Sequence, residues 1–345
     1  MPRKRAGTQA IEEFILNNVK EQPARISRLT AEQFGISRQT ANQHLLKLVK
    51  EGQLEATGNT KARNYQLTTL LTHYDDIAVT PMLEEHVTWR QIIAPYLSNI
   101  QDNVLGICQH GFTEMVNNVV SHSNARHIKV VVQRNPVLVT LQVGDDGIGV
   151  FRKIQQAFGY DDPRQALLEL SKGKLTSDPD RHTGEGIFFT SKMFDTFSIW
   201  SGRLFYARRK EGDDWLIEVE DRHNYAGTLI DMGVHPQSAR TTKEVFDQYA
   251  SGDDREFSRT HVPILLAKYG KEQLLSRSQA RRVLARFERF KEVMLDFQGV
   301  ETIGQAFADE IFRVYRREHS EIEIKWLNTS SEIDQMIRHV TPLLR

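Results

Sequence analysis

Apolar residues recur at helical spacing near the start of the chain, at Ile11, Phe14, Ile15 and Val19, and predict an amphipathic helix. A second short helix is predicted over Ser27 to Phe34, and Gly35 breaks it. Ser37 then reads as the N-cap of a third helix whose apolar stripe is Ala41, Leu45, Leu48 and Val49, with Gly52 as its end. Leu54 to Thr57 and Asn64 to Leu67 read as two short strands, joined by a loop that holds Gly58, Asn59, Lys61 and Arg63. From about Tyr74 to His235 helix and strand patterns mix. Helical stretches near 82–96 and 103–122 precede strand-like runs at His127 to Gln133 and Leu138 to Gly144. A polar loop of about 35 residues follows, long enough to suggest a functional lid. After it come a helix at Ile187 to Phe194 and strands at Thr196 to Ser201, Leu204 to Arg209 and Trp215 to Val219. Residues 237–256 read as a linker, and residues 257–345 alternate strands and helices. The expected division is therefore 1–72, 73–236, the linker 237–256, and 257–345.

Composition adds bounds. At 345 residues the chain exceeds the size at which one core usually stops growing. With 39% hydrophobic and 26% charged residues it reads as an ordinary folded chain, since disordered ones carry fewer apolar groups. Cys108 is the only cysteine, which excludes an intramolecular disulfide and any site built from several thiolates. No apolar run approaches the roughly 18 residues of a membrane span, and no apolar signal-peptide core follows the basic Met1 to Arg5, so a cytoplasmic protein without membrane attachment is expected. The formal net charge is zero, but residues 1–70 hold eleven Lys and Arg against six Asp and Glu, a net of +5. The rest, with 34 against 39, carries −5. That asymmetry points to an anionic partner at the N-terminal end.

The run Phe34-Gly35-Ile36-Ser37-Arg38-Gln39-Thr40-Ala41-Asn42-Gln43-His44-Leu45, with the hairpin after it, resembles the winged helix-turn-helix domains of bacterial transcription regulators. The resemblance implies a double-stranded DNA partner. Arg38, Gln39, Asn42, Gln43 and Lys47 would face the major groove, and Lys61 and Arg63 the backbone or minor groove. A homodimer on paired half-sites would fit such a domain, and docking of a protein on the same polar face is the competing use.

Three motifs in the middle segment carry chemistry. In Phe112-Thr113-Glu114-Met115-Val116-Asn117-Asn118-Val119-Val120-Ser121-His122, the residues Glu114, Asn118 and His122 fall at i, i+4 and i+8 on one helical face. An Asn oxygen suits Mg²⁺, and a carboxylate one turn earlier can deprotonate a water. Gly144-Asp145-Asp146-Gly147-Ile148-Gly149 follows an apolar strand, and Arg181-His182-Thr183-Gly184-Glu185-Gly186-Ile187 opens a helix. Together, in this order, they resemble the N box and glycine boxes of the Bergerat-fold (GHKL) ATPases. The resemblance implies ATP and Mg²⁺ as cofactors, with Asn118 as the metal ligand and Glu114 as the base. Asp145 would accept the adenine amine, assisted by Thr228 of Gly227-Thr228-Leu229-Ile230. His122, Gly147, Gly149, Thr183, Gly184, Gly186 and Ile187 would line the nucleotide, and the backbone of the second glycine box would cradle its phosphates. Lys172, Lys174 and Arg181 are cations of the loop between the boxes, and Lys174 is the one assigned to phosphate. Where histidine kinases usually carry a cation three residues after the Asn this chain has Ser121, and His86 does not sit in an acceptor motif, so histidine kinase activity is not expected.

Val293-Met294-Leu295-Asp296-Phe297-Gln298-Gly299-Val300-Glu301-Thr302-Ile303-Gly304-Gln305-Ala306-Phe307-Ala308-Asp309-Glu310 resembles the STAS-like domains related to anti-sigma-factor antagonists. The family's phosphorylated Ser aligns with Ala306, so a docking or packing module is expected, with Thr302 the nearest hydroxyl. The basic start Ser278-Gln279-Ala280-Arg281-Arg282 reads as a helix. The expected fold class is thus α/β multi-domain: a winged helix-turn-helix, then a Bergerat α/β sandwich ATP-binding domain, then a small STAS-like α/β domain. The expected function is ATP-controlled DNA binding and partner docking with slow hydrolysis. An anti-sigma-type serine kinase acting on a separate protein, or a nucleotide-binding scaffold without turnover, are the alternatives.

Overall fold

The computed structural model describes residues 7–59, 63–176, 183–209, 215–218, 224–251, 256–269 and 272–341. The chain divides into two compact units, residues 1–74 with 131–140 and residues 75–130 with 141–345.

In the first unit α1 (Thr8–Asn18), α2 (Ile26–Phe34) and α3 (Arg38–Lys50) precede a hairpin of β1 (Leu54–Thr57) and β2 (Asn64–Leu67). Ser37 caps α3, its Oγ accepting from the Thr40 N–H at 3.0 Å and satisfying one of the orphan donors of the first turn. Gly35 ends α2 at φ +63°, where a side chain would be strained. The hairpin is antiparallel, with Leu54 opposite Leu67 and Thr57 opposite Asn64. Ile11, Ile15 and Val19 pack with Ile26, Leu45, Leu48, Leu54 and Tyr65 into one core. Each buried aliphatic side chain there contributes about 1.5–3 kcal/mol against the cost of ordering the chain.

Next comes β3 (Leu71–Ala78), which belongs to a seven-stranded sheet that the sequence pattern begins only at His127. It is an edge strand whose residues alternate between half-buried and exposed, so no apolar run announces it. The short α4 (Glu85–Thr88) continues through a π turn at 89–93 and a 3-10 turn at 94–97. α5 (Asp102–Asn118) ends in a second π turn, Val119–Ser123. β4 (His127–Arg134), β5 (Val139–Asp145), α6 (Val150–Phe158), α7 (Pro163–Lys172) and α8 (Gly186–Met193) follow. Then come β6 (Thr196–Gly202), β7 (Leu204–Arg209), β8 (Trp215–Glu218), β9 (Tyr225–Val234) and α9 (Thr242–Tyr249). The sheet order is β3-β4-β5-β9-β6-β7-β8, and β9 runs antiparallel to β6 with Ile230 opposite Ile199.

Two segments differ from the sequence expectation. The stretch read as one polar loop contains α6 and α7: Asp162 caps α7 through the Arg164 N–H, and Pro163 pre-sets its first turn. Its polar composition conceals them because α7 buries Glu169 and Lys172 as a pair beside Leu167 and Leu168, so charge there does not report exposure. The stretch read as a linker contains α9, started by a capping box between Thr241 and Glu244. It packs Phe246 on Phe189 of α8, with ring centroids 4.4 Å apart.

The C-terminal part has a two-strand ribbon, β10 (Ala250–Ser251) with β11 (Glu256–Phe257), and then β12 (Arg259–Pro263), α10 (Arg277–Leu284), β13 (Glu292–Asp296) and α11 (Gln305–Asp309). α12 (Arg316–Glu318), β14 (Glu323–Leu327) and α13 (Ser331–Val340) complete it. β12, β13 and β14 form a parallel sheet with Val262, Leu295 and Trp326 in register. This part lies in the same compact unit as the middle of the chain.

Candidate functional site: a cavity at the ends of α5 and β5

The second unit contains a cavity of about 1120 Å³, counting the open space at its mouth, between the end of α5, the end of β5, α6 and the start of α8. Glu114, Asn118, His122, Asp145, Gly149, Thr183, Gly184, Gly186, Ile187 and Thr228 all line it. Residues more than a hundred positions apart are thus brought to one wall. Met115, Val143, Ile148, Ile154, Leu170 and Ile230 make the remaining lining largely apolar.

Asp145 sits at the floor. β5 delivers it there because alternate residues of that strand are buried against the core, and it is only 6% exposed. Its Oδ1 accepts from the Gly147 N–H at 2.7 Å, and Thr228 contributes a backbone and a side-chain hydrogen bond. Burial outweighs these donors and pushes the carboxyl up to about 6. Among the described residues no cation pairs with it. The Thr228 hydroxyl also accepts from the Val150 N–H at 2.9 Å, joining β9 to the first turn of α6. Asp146, the second acid of the motif, does something else: its Oδ1 accepts from the N–H groups of Arg126 and His127 at 2.8 and 3.0 Å. Those bonds hold its carboxyl below the usual range.

Gly149 starts α6 at φ +85°, and a Cβ there would stand 2.6 Å from the Ser201 hydroxyl. Gly147 does not line the cavity. It lies beneath the turn, where a Cβ would overlap the Ser123 carbonyl oxygen, and the Ile148 N–H donates to that same oxygen at 3.0 Å.

Glu114 lies where α5 crosses α8. A Cβ on Gly186 would collide with its carboxylate, so glycine is what lets the helix start approach. Burial raises the Glu114 carboxyl, and the nearby charges of Glu85 and Glu185 raise it further. Glu185 also lines the cavity and is raised chiefly by burial. Asn118 ends α5, and the π turn after it carries His122 and Ser123 to the same cavity.

The loop cations fall elsewhere. Lys174 does not line the cavity: its ammonium donates to the Arg289 carbonyl at 3.2 Å, lies 3.5 Å from Glu256 and stands over the rings of Phe257 and Phe290. Lys174, assigned to phosphate from the sequence, is therefore not brought to the cavity wall, although its charge still acts to lower the Glu185 carboxyl there. Lys172 is wholly buried on Glu169, and Arg181 lies outside the described residues. Among the described residues, the cation that lines the cavity is Lys153, on α6, whose ammonium donates to the His122 carbonyl and whose pKa burial lowers. Its position was readable in part: Val150, Ile154, Ala157 and Phe158 form the helical face that lines the cavity, and Lys153 lies beside it.

In the first unit Arg38, Gln39, Asn42 and Gln43 are exposed on α3, with Leu46 48% exposed beside them. Lys47 is engaged, its ammonium 2.8 Å from Glu12 on α1 and 3.7 Å from Glu51. Arg63 stacks over the Tyr65 ring at 5.4 Å, and Lys61 lies outside the described residues.

A family model described as a STAS-like domain of unknown function (DUF4325) matches residues 279–334. The C-terminal part carries a STAS-like domain. No curated protein matches the chain. In the STAS-like domain α11 begins after Gly304 with Gln305 and Ala306 exposed, so the first turn presents a methyl group where the resemblance expects an acceptor hydroxyl. Among the described residues no helix is long and apolar enough to cross a membrane, and no group of three or more His, Cys, Asp and Glu could hold a metal ion.

Proposed function

We propose that this chain is an ATP-binding regulator of the GHKL type, a Mg²⁺-dependent ATPase whose nucleotide state controls DNA binding by a winged helix at residues 1–72 and partner docking by the STAS-like domain. The observation that carries the reading is the buried Asp145 carboxyl, unpaired by any described cation, at the floor of an apolar cavity that has Glu114 and Asn118 on its wall. Gly147 and Thr228 already donate to this carboxylate, which has lone pairs left to accept a further donor such as an adenine amine, whereas guanine would present an oxygen.

The donor set fits the implied cofactors. Asn118 offers a neutral amide oxygen, and a Mg²⁺ held there would take its other ligands from phosphates and water. Gly184 and Gly186 let the start of α8 approach Leu175 and Glu114 and line the cavity, where the N–H groups of that helix start would meet phosphate oxygens. Bound Mg²⁺ would neutralise phosphate charge. Glu114, on the cavity wall and with its proton affinity raised by burial, would accept the proton of an attacking water. Lys153 brings the positive charge that Ser121 does not.

The deciding experiment incubates the full chain with γ-labelled ATP and Mg²⁺. Label is expected as free phosphate. Label on a protein would replace hydrolysis by transfer, and binding without release would leave a scaffold.

A further inference from the structure

The STAS-like domain does more than share a compact unit with the cavity. Its α10 and the turn after it hold the backbone that forms one rim of the cavity. Arg286, at the left-handed φ of +66°, donates from Nη2 to the carbonyl of Gly173 at 3.2 Å and to that of Lys174, while its Nη1 pairs with Glu169 at 3.2 Å. Arg289 Nη1 donates to the same Lys174 carbonyl at 3.0 Å. From the other side Lys172, with no exposed surface, donates to the Ala285 carbonyl at 2.8 Å and to Glu169 at 2.7 Å. The Thr260 hydroxyl donates to the Lys172 carbonyl at 2.7 Å. One residue further on, Leu175 and Thr176 line the cavity, and the Leu175 N–H donates to the Gly184 carbonyl at 3.2 Å. A Cβ on Gly184 would stand 2.6 Å from the Leu175 nitrogen, so this rim and the glycine before α8 are in rigid contact.

Buried ions are a costly way to join two surfaces. They fix one geometry, because every donor must find its acceptor. Here Lys172 of α7 is matched to the Ala285 carbonyl and Glu169 to Lys172 and Arg286 instead of to solvent, and the rim cannot shift without breaking those bonds.

We infer that the STAS-like domain sets the affinity of the cavity for nucleoside triphosphate, with Arg286 as the positioning residue that holds the 173–176 rim against Gly184. This rests on the nucleotide reading of the cavity.

The test is calorimetric titration of the full chain, with Mg²⁺ present, against ATP and against adenosine. The rim abuts Gly184, on the phosphate-facing side of the proposed site, so Arg286→Ala should weaken ATP at least tenfold and leave adenosine within about twofold. Arg286→Lys should recover part of the ATP affinity. A parallel loss of both ligands would show general destabilisation and overturn the inference, as would a folded Arg286→Ala that binds ATP like wild type. If Arg286→Ala does not fold, Arg286→Met, which fills the space without donating, carries the test, and unchanged ATP affinity in it overturns the inference. Wild type that binds neither ligand sinks the nucleotide reading itself, a result visible before any variant is made.

Discussion

Gly227 on β9 packs so closely on Asp145 at the end of β5 that a Cβ at Gly227 would overlap the Asp145 carbonyl oxygen and stand 2.8 Å from its Oδ1. The floor of the cavity therefore depends on the absence of a side chain one residue before Thr228. Gly227→Ala should destabilise the chain by about 1–3 kcal/mol, as overpacking does, and abolish nucleotide binding. Gly106, on α5 with nothing within 4 Å of its would-be Cβ, is the contrast. Gly106→Ala should stabilise by about 1 kcal/mol through helix propensity. Thermal unfolding of both variants checks the pair, and a silent Gly227→Ala would contradict the packing.

Asp145 should make both stability and nucleotide affinity depend on pH. Its carboxyl is raised from 3.8 to about 6 on folding, so the folded state binds this proton more tightly than the unfolded chain. The stabilising effect of that proton is complete below about pH 3.8 and lost as pH rises through 6, a change of about 3 kcal/mol. Asp145→Asn, which needs no proton to be neutral, should therefore melt higher than wild type at pH 7.5 and not at pH 4. An adenine amine donates to the ionised carboxylate, so ATP affinity of the wild type should fall about tenfold per pH unit below 6. A flat profile from pH 5 to 8 would remove Asp145 from the binding step.

The cavity acids and its cation should separate binding from turnover. Glu114→Gln should retain ATP binding and lose about 10²- to 10⁴-fold in hydrolysis, the range of a general base. Asn118→Ala should lose the Mg²⁺ dependence of binding. Lys153→Gln should weaken ATP about tenfold, about 1.4 kcal/mol, and leave adenosine unchanged. Equal loss for adenosine would mean that Lys153 acts only through the His122 carbonyl.

On α3 the exposed Arg38 and the engaged Lys47 should behave differently on DNA. Arg38→Ala should weaken binding and lower the salt slope by about one. Lys47→Ala should do less, because its ammonium is already held by Glu12. Gel shifts at two salt concentrations distinguish them, and equal effects would show that DNA draws Lys47 away from Glu12.

Much of this was legible in the chain because it is local. Ser37 as a cap, Gly35 as a terminator and the two strands of the first hairpin are each set by a few neighbouring residues, and they stand where the pattern puts them. The same holds for Glu114 and Asn118, one turn apart on α5, while His122 reaches the cavity through the π turn that follows. α7 was hidden because its Glu169 and Lys172 are buried as a pair, and α6 because its Lys153 lines the cavity with the apolar face, so polarity did not mean loop.

The sequence by itself determined the short-range elements and which residue types stand near one another along each, since helix and strand periods place side chains by spacing alone. Only the tertiary structure decided between like residues. It buries Asp145 while Asp146 caps the start of β4, and it lines the cavity with Lys153 while Lys172 and Lys174 donate to the STAS-like domain. Composition cannot make those choices, because a charge is assigned to its partner by folding, when burial leaves one acceptor within reach and removes the water that would otherwise serve all of them.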